Sequence, residues 1–148
     1  NALLNPEINP LYGYNLDAWD GYPAEREKLY KIVEELNKNL IVLSGDSHNS
    51  WFNYLIDNNN NLVGKELAVT SVSSLGIESF FPDIPPIEVQ QLFETLFPDV
   101  KWIDTYRRGY LISTYTKTEV SANWKFVNTV DSMYYSESKP SHEEILLK

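Results

Sequence analysis

Ser44-Gly45-Asp46-Ser47-His48-Asn49-Ser50 is the segment whose residue types and spacing could do chemistry. A carboxylate oxygen and an imidazole nitrogen are ordinary ligands for iron, zinc or manganese. Asp46 and His48 stand two apart, so in an extended segment both side chains leave on the same side and can share one metal centre. Gly45 permits a sharp exit from a preceding strand. The same letters also fit a strand-end turn in which Asp46 caps the turn and His48 is solvated, because short motifs often match by chance.

The elements around this segment must place it where a ligand can reach it. Pro23 suits a first helical turn, Glu25 follows it, and Leu29, Ile32, Val33 and Leu36 recur at i, i+3, i+4, i+7, which predicts an amphipathic helix over about 23–37. Leu40-Ile41-Val42-Leu43 is a short continuous apolar run, as expected of a strand covered on both faces. Its carboxyl end delivers Ser44–Ser50, and that edge of an open α/β sheet is where ligands prefer to bind. Strands over 51–56 and 62–72 flank Asp57 and the Asn58–Asn61 run, which reads as a turn. Residues 73–86 read as a loop closed by Pro82, Pro85 and Pro86. Val89, Leu92, Phe93 and Leu96 then give a second helix, near 86–97, stopped by Pro98.

Three more strands are expected over 102–106, 110–116 and 120–129, and the alternation of Val120, Ala122, Trp124 and Phe126 marks one buried face. Residues 1–21 read as an irregular lead-in, and 132–148 as a polar surface tail with a weak helical close at 143–147. The fold class is α/β, with two main helices on a mixed sheet. Some of its strands are expected to lie outside this sequence, leaving edges exposed for oligomers or for the absent half.

Composition narrows the function. The formal charge of −9 repels phosphate, nucleic acid and anionic lipid, and no Lys/Arg cluster reverses it locally, so no nucleic-acid partner is expected. An anionic substrate would need a bound cation to attract it. With no cysteine, disulfides and thiolate sites are excluded, and the apolar runs are too short for a transmembrane segment. Asn1 opens the sequence and Met133 is its only methionine, as expected of a processed chain or a fragment.

Asn15–Arg26, Ser44–Trp51, Ala68–Ser74 and Arg107-Arg108-Gly109-Tyr110 occur in the order and approximate spacing of the alkaline phosphatase D (PhoD-like) family, and Trp124-Lys125-Phe126-Val127 fits as well. The sequence thus resembles that family over most of 17–129. The resemblance implies the second half of a four-layer αββα sandwich like that of calcineurin-like and purple acid phosphatases. It further implies hydrolysis of phosphate mono- or diesters at a multi-metal centre holding iron and calcium, and a secreted or periplasmic location. Asp46 and His48 match the last ligand motif, where related enzymes carry Gly-His-x-His, and a carboxylate in place of the first His favours a harder ion such as calcium. The family's other ligands, including an iron-bound cysteine, would lie upstream of Asn1. The expected partners are a phosphate ester and the missing N-terminal portion, and the fragment alone is expected to be inactive.

Further residues carry two readings each. Trp19, Asp20, Tyr22 and Arg26 either line the substrate entrance, or Trp19 and Tyr22 form a hydrophobic staple at the start of the first helix while Arg26 pairs with a carboxylate. Asn49 and Trp51 follow the ligand loop as substrate-binding candidates, and Asn49 either bonds a phosphate oxygen or caps the turn. Glu66 either orients His48 through its second ring nitrogen or faces solvent, and His142 has no assigned role. An aromatic content of 14% keeps open a carbohydrate-binding module, which requires exposed tryptophans, and a degenerate phosphatase-like interaction domain is a third reading.

Overall fold

Two prolines open the two main helices: α1 (Pro23–Glu35) and α2 (Pro86–Leu96) each begin with Pro at the first helical position, where an N–H would lack a partner anyway. Glu25 and Glu88 lie in the first turns, favoured by the positive end of the helix dipole. Around them a computed structural model describes residues 17–147 as an α/β arrangement of two helices and two β-sheets. The reading of 1–16 as part of an irregular lead-in lies outside the described residues.

The strands are β1 (Leu40–Ser44), β2 (Ser50–Ile56), β3 (Leu62–Ala68), β4 (Val100–Asp104), β5 (Gly109–Tyr115), β6 (Val120–Val127) and β7 (Glu137–Leu147). Four form a mixed sheet in the order β1-β3-β2-β4, with β1 parallel to β3 and β2 antiparallel to β4. The others form an antiparallel sheet, β5-β6-β7.

The chain divides into two units. The first comprises residues 1–39 and 56–63; its described part holds a 3-10 turn (Trp19–Gly21), α1 and the turn after β2. In that turn the Asp57 carboxylate accepts the backbone N–H groups of Asn61 at 2.7 Å and Asn59 at 2.8 Å, which hold its carboxyl below the usual range. The asparagine run is a turn, as its sequence predicts.

The second unit, residues 40–55 and 64–148, carries the core. Val120, Ala122, Trp124 and Phe126 of β6 are all buried and pack with Phe52 of β2, Leu67 of β3 and Leu146 of β7, so the two sheets meet face to face. Trp124 also donates its indole N–H to the Ala68 carbonyl at 2.9 Å. Alternation along β2 sends Phe52 into this core and Trp51 the other way, edge-on to Phe93 of α2.

Two expectations fail here. β1 is not covered on both faces: it is an edge strand, none of its residues is fully buried, and Leu43 is 56% exposed. The tail ends not in a helix but in β7, which pairs along β6 and buries Leu146. Its polar residues belong to a sheet edge, where charge and Pro140 are tolerated because one side makes no ladder.

β7 also gives His142 a place. Its ring stacks on Trp102 at 3.9 Å with the planes 3° apart, and Nε2 lies 2.9 Å from a Glu144 oxygen. Burial holds the imidazole below its ordinary value, more than Glu144 raises it. A histidine depressed in the fold leaves the unfolded chain binding more protons below about 6.5, so its stabilisation is complete above that pH and lost as pH falls through the folded value. Thermal unfolding should show the wild type losing more Tm than His142→Gln between about pH 7.5 and pH 5. Parallel losses would contradict this.

Candidate functional site

β1 ends at Ser44, and the chain turns at once through Gly45–Asn49 before β2 begins. The segment is not extended. Ser47 N–H reaches the Gly45 carbonyl at 2.7 Å, and Asp46 and His48 both adopt left-handed backbone, at φ 65° and 60°. Gly45 has no positive φ, so the sharp exit falls to the two side chains of interest. Alternation along a strand therefore does not set their directions. Such backbone costs roughly 1–3 kcal/mol per residue and persists where the surroundings over-determine it.

Those surroundings are visible. Trp51 donates its indole N–H to Ser47 Oγ at 2.9 Å. Thr70 Oγ1 lies 2.9 Å from the carbonyls of both His48 and Arg107, tying the loop to the 105–108 turn. His48 Nδ1 lies 2.8 Å from the Leu75 carbonyl. Asn49 is wholly buried, and its Oδ1 accepts the Ile77 N–H at 3.0 Å. A carbonyl only accepts, so His48 must carry its proton on Nδ1 when neutral, leaving the Nε2 lone pair outward of that bond. Among the described residues no side chain bonds Nε2 or the exposed Asp46 carboxylate.

Glu66 follows neither reading made for it. One oxygen accepts Ser44 Oγ–H at 2.7 Å and the other Asn53 Nδ2–H at 2.8 Å, so a β3 carboxylate fastens both neighbouring strands. The carbonyl of Leu75, not a carboxylate, orients His48.

The arginines at 107 and 108 are equally committed. Asp104, wholly buried, accepts the Arg107 backbone N–H at 2.8 Å and its Nε–H at 2.6 Å, while the guanidinium lies 3.9 Å from the Phe126 ring centre. Arg108, also buried, pairs with Glu78 and donates to the Tyr106 carbonyl at 2.9 Å. Sequence reasoning missed Thr70, Leu75, Glu78 and Arg108 as parts of the site. The one hint was the Arg-Arg-Gly turn itself, since a buried guanidinium demands a carboxylate somewhere.

Beside the loop's root lies an open cleft of ≈ 410 Å³, lined by Ser44 and Thr70 and by apolar Leu43, Val69, Val72 and Tyr110. Among the described residues no three of His, Cys, Asp and Glu gather closely enough to hold a metal ion. Asp46 and His48 are the two candidate donors of the sequence reading, and no third joins them among the described residues. Trp19 and Tyr22, about half exposed, and Arg26, partly buried in the first turn of α1, belong to the first unit. Of the four tryptophans only Trp19 is exposed; Trp51 and Trp102 are partly buried in ring contacts and Trp124 is fully buried, so the tryptophans form no exposed row. No described helix is long and apolar enough to cross a membrane.

Comparison with known proteins bears on the same loop. Residues 3–124 match the family model described as PhoD-like phosphatase. The chain is 33% identical over 117 residues to "Alkaline phosphatase D" of Bacillus subtilis (strain 168), covering 76% of this chain and 19% of that protein. It thus spans about a fifth of that relative's length. No solved structure matches significantly.

Proposed function

Because the chain belongs to the PhoD-like phosphatase family, we propose that it forms part of a metal-dependent phosphoesterase in which Asp46 and His48 are metal ligands. One observation carries the reading: His48 is tethered through Nδ1, so that Nε2 is the ligating nitrogen, in a loop held in costly backbone that also carries the exposed Asp46. The imidazole suits iron and the carboxylate suits iron or calcium, the ions that the family resemblance implies. Bound there, such ions would supply charge stabilisation at the phosphoryl oxygens and a water of lowered pKa.

The chain's own residues prepare that chemistry. Trp51 bonds Ser47, Thr70 bonds the His48 carbonyl and Asn49 bonds Ile77, so the loop that carries the two candidate donors is held before anything binds. The charge of −9 makes a cation between carboxylate and phosphate the natural route for an anionic substrate. Phosphate mono- or diesters are the substrates, and Trp19, Tyr22 and Arg26 are kept as substrate-binding candidates from the sequence; a secreted or periplasmic location goes with the same reading.

Two donors do not close a metal site, and the remaining ligands belong to the rest of a longer enzyme. The apolar edge strand β1 supports this: Leu40–Leu43 has the composition of a strand buried in a sheet, yet lies at its margin with Leu43 open. The test is to measure bound metal and phosphate release from mono- and diester substrates for the full-length enzyme and for residues 1–148 alone. The enzyme is expected to hold metal and turn over, and the 148 residues to do neither. Equal turnover by the shorter chain would overturn the division of the site.

A further inference from the structure

Resting on the reading of His48 as a metal ligand, we infer that Glu78 and Arg108 are positioning residues for it, acting through the one peptide unit that selects its tautomer. The Leu75 carbonyl, which takes His48 Nδ1–H, and the Gly76 N–H are opposite ends of a single peptide plane. Both Glu78 carboxylate oxygens accept that Gly76 N–H, each at 3.1 Å. Clamping one end of a rigid plane aims the other. The carboxylate therefore directs the Leu75 carbonyl at the imidazole, although it never touches the ring.

Charge adds to direction. A peptide whose N–H donates to an ionised carboxylate is polarised, which makes its carbonyl a stronger acceptor and favours the proton on Nδ1 over Nε2. Arg108 keeps the carboxylate in place. It is buried at 6% exposure, pairs with Glu78 through Nη2, and is anchored through Nη1 on the Tyr106 carbonyl. On the far side, Asn49 Oδ1 holds the next N–H, that of Ile77. A Cβ at Gly76 would come within 2.5 Å of the Asn49 amide, so only glycine lets this peptide sit against the loop. Residues 49, 76–78 and 108 thus form one brace behind position 48.

The tautomer is measurable without turnover. In metal-free full-length enzyme carrying ¹⁵N-labelled histidine, the neutral His48 ring is expected as the Nδ1–H form. Glu78→Ala should move it toward Nε2–H and weaken binding of Mn²⁺, titrated alone, about ten- to a hundredfold. Glu78→Gln keeps an oxygen for the Gly76 N–H but loses the charge, and should fall between the two on both readouts. If Glu78→Ala does not fold, Glu78→Gln decides the matter: tautomer and affinity both unchanged overturn the inference, as does a wild-type proton on Nε2. His48→Ala separates the two levels. Unchanged Mn²⁺ affinity in that variant sinks the metal-ligand reading itself, whereas lost affinity there with an unaffected Glu78→Gln sinks only the positioning role.

Discussion

With His48 a metal ligand as proposed, His48→Ala in the full-length enzyme is expected to lower phosphate-ester turnover on the order of a thousandfold, since cations there would contribute several kcal/mol of charge stabilisation at about 1.36 kcal/mol per tenfold in rate. Asp46→Ala should cost a similar factor. The double variant should be little worse than either, because groups serving one centre act as a unit and their effects do not multiply. Stability should move the other way from activity at position 46. Asp46 is exposed at φ 65°, so Asp46→Gly removes left-handed strain and is expected to raise stability by roughly 1 kcal/mol while losing activity. Losses that multiply in the double variant would show that the two residues serve separate tasks. Unchanged turnover in all three would favour a degenerate domain kept for interactions.

Much of the fold was legible because it is local. The spacing of Leu29, Ile32, Val33 and Leu36 and the prolines at 23 and 86 place both helices to within two residues of their observed ends. The strict alternation in β6 names its buried face without a partner being known. The errors occur where position in the sheet outweighs composition. Leu40–Leu43 reads as buried because four apolar residues in a row normally are, but a strand's place in the order β1-β3-β2-β4 is not written in its own letters. Residues 137–147 read as a tail because an edge strand that faces solvent is polar, and polarity is also the mark of a tail.

The sequence names the candidate donors and leaves out the residues that hold their loop. Asp46 and His48 are neighbours in sequence, so their types and spacing speak directly. Their conformation does not, since two left-handed residues within three positions are fixed by contacts from Trp51, Thr70 and Leu75. Glu66 and Glu78 show the same limit from opposite sides. Both are lone carboxylates in the sequence; one fastens Ser44 and Asn53 across the sheet, and the other pairs with an arginine thirty positions away. Only tertiary packing distinguishes them.

Trp124→Ala is expected to destabilise the second unit by about 3–5 kcal/mol, the range for emptying a buried aromatic position. The ring is wholly buried at the centre of the core, beside Phe52 and Trp102, and its N–H satisfies the Ala68 carbonyl on the last residue of β3. An unsatisfied carbonyl adds roughly 1–3 kcal/mol where water cannot reach it. Against a total of about 5–15 kcal/mol for a domain, such a loss leaves little margin. Trp124→Phe separates the contributions: it keeps most of the volume, gives up the hydrogen bond, and should cost well under half as much in denaturant unfolding. Ala68 immediately precedes the stretch leading to Thr70, which holds the His48 carbonyl, so the same substitution should also loosen the loop. In a Trp124→Phe enzyme that remains folded, weaker metal binding alongside intact secondary structure is therefore expected. A Trp124→Ala chain unfolding within about 1 kcal/mol of wild type would show that the two sheets do not depend on this ring.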